Sequence, residues 1–163
     1  MSDVADPDST PRSRAVRRRD TERRLAHDVD LWVASASGDG VPHLVPLSFD
    51  WDGESVLLAT PATSPTGRNL AASRTARLGL GPTRDVTLVE GEVEVVALGD
   101  LPPAAADRFA ERTGFDPRAE DGDYAWYRVR PRVVRAWREA DELPARELMR
   151  DGRWLVEAAG EGR

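Results

Sequence analysis

Residues 30–98, DLWVASASGDGVPHLVPLSFDWDGESVLLATPATSPTGRNLAASRTARLGLGPTRDVTLVEGEVEVVAL, decide the fold of this 163-residue chain. Short apolar runs are separated there by turn-forming sequences, GDG at Gly38–Gly40 and WDG at Trp51–Gly53. Asp-Gly pairs favour tight hairpins because glycine adopts the positive φ angles that such turns require. Loops this short join antiparallel neighbours, whereas parallel strands need a crossover of about a dozen residues or more. The stretch therefore predicts an antiparallel β-sheet rather than a dinucleotide-binding α/β fold.

Five strands are predicted in this stretch, and two of them carry signs of a barrel. The strands are Asp30–Ser37, Val41–Asp50, Glu54–Thr60, Thr75–Gly81 and Arg84–Leu98. Pro42 and Pro46 each remove a hydrogen-bond donor from the second strand, which predicts an edge or a bulged strand. The apolar alternation of the fifth strand changes phase around Gly91, which indicates a β-bulge, and such bends help a sheet to close. The predicted fold class is mainly β, an antiparallel barrel with short peripheral helices.

A single domain is predicted, because the chain is long enough for one core and contains no internal repeat. Residues 1–10 are expected to be a disordered tail and residues 11–145 the barrel domain. A helix is expected within that domain over Leu101–Gly114. Residues 146–163 are expected to form a C-terminal hairpin and tail.

An arginine-rich helix is predicted before the first strand, from Pro11 to about His27, with Thr10 as its N-cap. Its many arginines are interpreted as a solvated face. The apolar stripe expected on its other face consists of Ala15, Val16 and Leu25. At the other end of the barrel sequence, Tyr124–Glu139 is predicted to form one or two strands split by Pro131.

The helix start after the third strand is suited to binding an anion. Within Ala59–Ser73, Ser64 is a good N-cap and Pro65 fits the first helical position. The four unpaired N–H groups of a helix start, together with the helix dipole, attract phosphate or carboxylate. An ordinary cap on a connecting helix has the same sequence, so both interpretations stay open at this point.

Composition excludes many kinds of side-chain chemistry. All 23 basic residues are Arg, so a Schiff-base or phosphate-binding lysine is excluded, and the absence of Cys excludes thiolate chemistry. The two histidines, His27 and His43, are too few for most histidine-built metal centres, and no metal site is predicted. An enzyme of this composition is expected to rely on an organic cofactor.

Charge and hydropathy limit the expected partners and location. The net charge of −6 disfavours general nucleic-acid binding. No apolar run approaches the roughly 20 residues needed to cross a bilayer, and the N-terminus lacks the apolar core of a signal peptide. A cytoplasmic protein without membrane or nucleic-acid partners is expected.

The order of these elements, with two short motifs, resembles the pyridoxamine 5′-phosphate oxidase-like FMN-binding split barrels. The motifs are G-x-P-H-x-x-P at Gly40–Pro46 and R-N-L at Arg68–Leu70, the latter preceding a strand. The resemblance covers roughly residues 23–139 and is closest to the actinobacterial flavin- or deazaflavin-dependent oxidoreductases. It implies an antiparallel split β-barrel.

The resemblance also implies a homodimer with a cofactor, FMN or the deazaflavin coenzyme F-420, held between the subunits. The residues implied at the ring are Val45, Pro46 and Leu47. The residues implied at the phosphate or polar tail are Thr60, Ser64, Thr66, Arg68 and Asn69. Possible ring or substrate contacts are His43, Trp126 and Trp137. Many relatives carry Lys where this chain has Thr66. Three arginines, Arg17, Arg18 and Arg74, are further candidates for an acidic deazaflavin tail.

The implied activity is hydride transfer between the reduced cofactor and a small organic acceptor, with no catalytic side chain assigned. Two alternatives remain open: an FMN-binding flavoprotein of the same family, and a non-catalytic split barrel that binds a small molecule. For individual residues the structural alternatives also remain open. His43 fits a buried core imidazole, and the two tryptophans fit core or dimer contacts.

Overall fold

Six antiparallel strands close into a barrel in a computed structural model that describes residues 10–160. The barrel strands are β1 (Asp30–Ala36), β2 (Pro42–Trp51), β3 (Val56–Pro61), β4 (Thr75–Leu80), β5 (Asp85–Ala97) and β6 (Tyr124–Arg138). They are ordered β3-β2-β1-β4-β5-β6, and β6 pairs again with β3. The predicted fold class is confirmed. The helices are α1 (Arg14–His27), α2 (Pro65–Ser73) and α3 (Pro103–Thr113), and a small hairpin of β7 (Glu147–Arg150) and β8 (Arg153–Trp154) extends the sheet beyond β6.

Strand β2 is paired on both sides along only part of its length. It pairs with β1 from Pro42 to Ser48, but with β3 only through its last three residues, from Phe49 to Trp51. The segment that contains both prolines therefore has one open edge, as predicted from their missing N–H groups. This opening gives the barrel its split character and leaves the backbone of β2 beside a cavity.

A β-bulge joins the two longest strands. The register of β5 and β6 shifts at Glu90/Gly91, where Gly91 faces Pro131. A Cβ on Gly91 would stand 2.5 Å from Val129 Cγ1 and 2.7 Å from Arg130 O, so this position has no room for a side chain. The predicted bulge is confirmed. Because Pro131 lies at the bulge, its missing donor does not divide β6, which continues as one strand.

Two apolar clusters make up the core. The first fills the barrel with residues from all six strands, and Leu25 of α1 and Leu70 of α2 cover its ends. The second lies between the outer side of the β3–β6 pair and α3. Its buried members are Leu57, Ala59, Leu101, Ala106, Phe109 and Trp126. Helix α3 is thereby fixed beside the ends of β2 and β3.

Helix α1 differs from its prediction in both its start and its buried face. Its N-cap is Ser13, whose Oγ accepts a hydrogen bond from Val16 N at 3.2 Å, rather than Thr10. The buried residues are Arg17, Thr21 and Leu25, whereas Ala15 and Val16 are half-buried. Arg17 lies inward because its guanidinium finds carbonyl partners: Nη1 donates to Ala136 O and Glu142 O, each at 3.1 Å. The expectation that the arginines form a purely solvated face is therefore wrong.

A buried carboxylate connects the beginning of the described chain to the segment after β6. Glu142, 2 % exposed, accepts hydrogen bonds from Arg12 N, Nε and Nη2 at 2.7, 3.0 and 2.8 Å, and from Arg138 N at 2.6 Å. Burial acts to raise the pKa of Glu142, but these hydrogen bonds outweigh it and lower the pKa to about 2. The carboxylate is therefore ionised at neutral pH and holds the two segments together. Residues 1–9 of the tail predicted over residues 1–10 lie outside the described residues.

Candidate functional site

A cavity of about 450 Å³ opens beside the split edge of the barrel, and we call it the β2–β3 pocket. One wall is formed by the open segment of β2 and the end of β3. Its residues are Pro46, Leu47, Ala59, Thr60 and Pro61. The opposite wall is aromatic and consists of Phe109, Phe115 and Tyr124. The rings of Phe115 and Tyr124 pack 5.6 Å apart, which fixes that wall.

Apart from Tyr124 of the aromatic wall, few polar side chains line this pocket: the carboxylate of Asp30 and the hydroxyls of Ser48 and Thr60. Asp30 Oδ1 accepts a hydrogen bond from Ser48 Oγ at 2.6 Å at one end, and Thr60 lies at the other. Among the residues of 10–160 that line the pocket there is no arginine. An apolar slot with one carboxylate suits a neutral ring system rather than an anion.

The start of α2 lies directly beyond Thr60. Thr60 Oγ1 is 3.2 Å from Ser64 Oγ, so the pocket and the helix start are contiguous. Ser64 is the N-cap: its Oγ accepts from Gly67 N at 3.0 Å and donates to Pro61 O at 2.7 Å. The Ser64 hydroxyl is therefore fully engaged in hydrogen bonds within the turn. It could bind a ligand only if the turn opened.

The helix start offers fewer free N–H groups than the sequence suggested. Pro65 has none, Gly67 N is capped by Ser64, and Arg68 N donates to Ser64 O at 2.9 Å. In the described part of the chain, Thr66 N is the remaining donor of this turn without a partner. The prediction of four available donors is thus reduced to one, because proline and the capping hydroxyl account for the others.

The other residues implied at the tail differ in their availability. Arg68 is exposed, and its guanidinium pairs with no group within residues 10–160. Thr66 is 2 % exposed. Asn69 Nδ2 donates to Ser35 Oγ on β1 at 3.1 Å. One cationic side chain is therefore ready to meet an anion at this helix start, and it is Arg68.

Of the residues implied at the ring, two line the pocket. Pro46 and Leu47 both do so, Pro46 exposed and Leu47 half-buried. Val45 and Leu47 share one face of β2 and both pack against the barrel core, and Val45 lies opposite Val33 of β1. Leu47 also borders the pocket, whereas Val45, further from the end of β3, does not line it.

The three possible ring or substrate contacts lie elsewhere. His43 is half-buried opposite Ser35, and its ring has no hydrogen bond within residues 10–160. Trp126 is fully buried: its Nε1 donates to Leu98 O at 3.1 Å and its ring packs edge-on against Phe109 at 5.1 Å. Trp137 is half-buried beneath the guanidinium of Arg146. The aromatic wall that the structure does provide was missed, since Phe115 and Tyr124 follow no periodic pattern.

A second surface continues from the pocket across the outer side of β1, β4 and β5, and we call it the Trp32 face. A cavity lined by Asp30, Trp32, Pro46 and Gly79 links the pocket to a groove of about 350 Å³. Trp32 is 52 % exposed and Leu44 61 %, and both line this groove. Large apolar side chains this exposed and this close together indicate a contact surface.

A sequence model of the pyridoxamine 5′-phosphate oxidase family matches residues 21–138, which include all six barrel strands. The chain belongs to this family. No curated protein matches the chain. The match includes the pocket, α2 and both long strands, and ends at the last residue of β6, before Glu142.

Solved structures share the fold of this family member at low sequence identity. An F420 reductase superposes with a TM-score of 0.58 at 23 % identity, covering 69 % of this chain and 94 % of its own. A heme binding protein from Mycobacterium smegmatis gives 0.61 at 18 % identity, covering 78 % of this chain and 55 % of its own. General Stress Protein 26 from Bacillus anthracis gives 0.51 at 16 % identity, covering 71 % and 88 %. At these identities the similarity shows the split-barrel fold alone.

Two further observations concern metals and membranes. Residues 10–160 contain no group of three or more side chains placed to hold a metal ion. None of the helices described there is long and apolar enough to cross a bilayer.

Proposed function

We propose that this protein binds a flavin or deazaflavin and is an oxidoreductase that transfers hydride between the reduced cofactor and a small organic acceptor. The observation that carries the proposal is the continuity of an apolar slot with a helix start. The slot accepts a planar ring between Pro46 and Leu47 on one side and Phe115 and Tyr124 on the other. Thr60 connects it to α2, where Arg68 is available for an anionic tail.

The cofactor supplies the hydride chemistry when bound, and the chain supplies binding and orientation. The two walls of the β2–β3 pocket exclude water from one face of the ring and fix its plane. Thr66 N and Arg68 hold the tail, which fixes how far the ring enters the pocket. Asp30, at the opposite end, disfavours a negatively charged group there.

The arginines expected to favour the deazaflavin over FMN have other partners in the structure. Arg17 and Arg18 were candidates for an acidic tail, but both donate to backbone carbonyls, and Arg18 also stacks on Trp154 at 4.5 Å. Arg74 donates to Ala71 O at 2.9 Å. The similarity to an F420 reductase is one of fold and does not decide between the two cofactors. Both cofactors are therefore tested side by side.

Arg68→Ala is expected to weaken cofactor binding by about 1.5–3 kcal/mol, the usual contribution of a charge-assisted hydrogen bond. Titration of the purified protein with FMN and with coenzyme F-420, followed by fluorescence, measures the effect. Arg74→Ala is the matched control, because Arg74 is also exposed but caps the other end of α2, where its Nε donates to Ala71 O. The Arg74→Ala variant should bind the cofactor as tightly as the unaltered protein.

Two results would contradict the proposal in different ways. If the unaltered protein binds neither cofactor, the split barrel serves a non-catalytic role with another small molecule. If it binds FMN but transfers no hydride to any acceptor, it is a flavin-binding protein of the family rather than a reductase.

We also propose that the protein is a homodimer assembled through the Trp32 face. A monomer rarely exposes a contiguous apolar surface of this kind, and two-fold symmetry allows the same surface to cover itself. Because the face continues into the β2–β3 pocket through Pro46 and Asp30, a second copy seated there would cover the open side of that pocket.

Leu44→Glu is expected to convert the dimer into a monomer, because a charge would be buried at the centre of the contact. Light scattering should then give 17.9 kDa instead of twice that mass. Val41→Glu is the control: Val41 is 62 % exposed, as Leu44 is 61 %, but it does not line the Trp32 groove. A monomeric unaltered protein, or equal effects of the two substitutions, would exclude this dimer.

A further inference from the structure

The hydroxyl of Tyr127 lies beneath the first turn of α2. Tyr127 is on β6 between Leu58 of β3 and Val95 of β5, and 1 % of its surface is exposed. Its ring belongs to the barrel core, while its Oη comes within 2.8 Å of the point where a Cβ of Gly67 would stand. A polar atom from the core is thereby aimed at the helix start that the cofactor tail is proposed to meet.

This hydroxyl has no acceptor within residues 10–160. The nearest carbonyl, Pro61 O, is 2.3 Å from the same Cβ point. Pro61 O already accepts from Ser64 N at 3.0 Å and from Ser64 Oγ at 2.7 Å, which uses both of its lone pairs. The ring is part of the core, but the hydroxyl makes no hydrogen bond within residues 10–160, so it is free to donate to a ligand at the helix start.

The hydroxyl keeps its proton at neutral pH. Burial raises the pKa of Tyr127, and the nearby carboxylate of Asp123 raises it further. Tyr127 can therefore act as a hydrogen-bond donor but not as an anion. A phenylalanine would fill the same volume in the core, so packing does not account for the hydroxyl.

We propose that Tyr127 is a binding residue for phosphate, donating its hydroxyl proton to a phosphate oxygen of the cofactor tail. The inference rests on the proposed cofactor site and adds a donor from inside the barrel to it. Thr66 and Arg68 belong to the first turn of α2, and Tyr127 Oη adjoins Gly67 between them, so three groups without partners within residues 10–160 are available to one anion there. A phosphate ester offers several oxygens for such a set, whereas a neutral hydroxyl tail does not.

Tyr127→Phe separates this role from a structural one. The affinity for FMN should fall roughly tenfold, as expected for one hydrogen bond to a charged group. The affinity for riboflavin, which has the same ring without the phosphate, should not change. The melting temperature of the ligand-free protein should stay about the same, because the hydroxyl makes no hydrogen bond within residues 10–160. Loss of a hydrogen bond needed for folding would instead lower the melting temperature.

Tyr124→Phe is the matched control, since Tyr124 lies on the same strand but lines the pocket rather than the helix start. It should not change the ratio of FMN to riboflavin affinity. Inorganic phosphate gives a readout without any flavin: it should raise the melting temperature of the unaltered protein and do so less for Tyr127→Phe.

The outcomes distinguish this inference from the proposed function. If Tyr127→Phe binds FMN as tightly as the unaltered protein, or loses FMN and riboflavin equally, the hydroxyl does not bind phosphate, and flavin binding still stands. If the unaltered protein binds neither FMN nor coenzyme F-420, the proposed function fails, and the phosphate experiment alone decides the role of Tyr127. Equal stabilisation of both proteins by phosphate would then overturn the inference.

Discussion

Glu142→Gln is expected to lower the free energy of unfolding by about 3 kcal/mol at neutral pH, because removing one partner of a buried ion pair leaves the other uncompensated. The carboxylate accepts four hydrogen bonds, three from Arg12 and one from Arg138 N. The side chain of Arg12 is itself only 11 % exposed. It keeps Asp20 and Asp85 as partners at 3.0 Å each, which places the expected loss at the low end of the range for buried pairs.

The effect should depend on pH with a defined sign. The pKa of Glu142 is lowered to about 2 in the folded protein, from 4.5 for an unperturbed glutamate. Its contribution to stability is therefore fully present above about pH 4.5 and is lost as the pH falls towards 2. Urea denaturation of the unaltered protein and of Glu142→Gln, from pH 7 to pH 2, should show the two stabilities converging at acid pH.

Glu94→Gln is the matched control for this prediction. Glu94 is 51 % exposed and lies 3.7 and 3.8 Å from the guanidinium groups of Arg128 and Arg130. An exposed ion pair of this kind contributes less than about 1 kcal/mol. Equal losses for the two substitutions, or a Glu142 effect that persists unchanged at pH 2, would show that the buried carboxylate does not hold the chain ends together.

The barrel could be predicted because its determinants are local. The turn at Gly38–Gly40 and the open segment of β2 follow from residues adjacent in the sequence, as does the bulge at Gly91. Each of these signals acts through the backbone of one or two residues, through a positive φ angle, a missing N–H or a missing Cβ. The antiparallel order then follows from the short connections.

The features that escaped prediction depend on contacts between distant parts of the chain. Arg12 and Glu142 are 130 residues apart, and no spacing rule connects them. Arg17 is buried because carbonyls of β6 and of the following segment meet it, which the helix sequence alone does not reveal. Side chains that look solvated in a run of charges can therefore be structural once the ends of a chain pack together.

The candidate site was predictable in outline and not in detail. Ser64 is the N-cap, as its sequence suggested, but this role uses up the donors that made the helix start attractive. A lysine at position 66 would enter a position that is 2 % exposed. Thr66→Lys is therefore expected to lower stability, since a desolvated ammonium is costly. Arg68 alone combines charge with exposure at this turn.

Gly67→Ala is expected to lower the free energy of unfolding by about 2 kcal/mol, which is within the range for overpacking a filled site. The added methyl group would stand 2.3 Å from Pro61 O and 3.1 Å from Ala62 Cα, both backbone atoms that no rotamer change can move. It would also stand 2.8 Å from Tyr127 Oη. Alanine has the better helix propensity by about 1 kcal/mol, so a loss of stability would identify the close approach as the cause.

The same substitution should weaken FMN binding at least tenfold and leave riboflavin binding less affected, because displacement of the first turn moves Thr66 N and Arg68 away from the phosphate while the pocket keeps its walls. Gly99→Ala is the control: no atom lies within 4 Å of its added Cβ, and its stability should change by less than about 0.5 kcal/mol. The double variant Gly67→Ala with Tyr127→Phe removes one of the three close contacts but keeps both backbone contacts, so stability should remain low. Full recovery in the double variant would mean that the Tyr127 hydroxyl, rather than the backbone of Pro61 and Ala62, requires glycine at position 67.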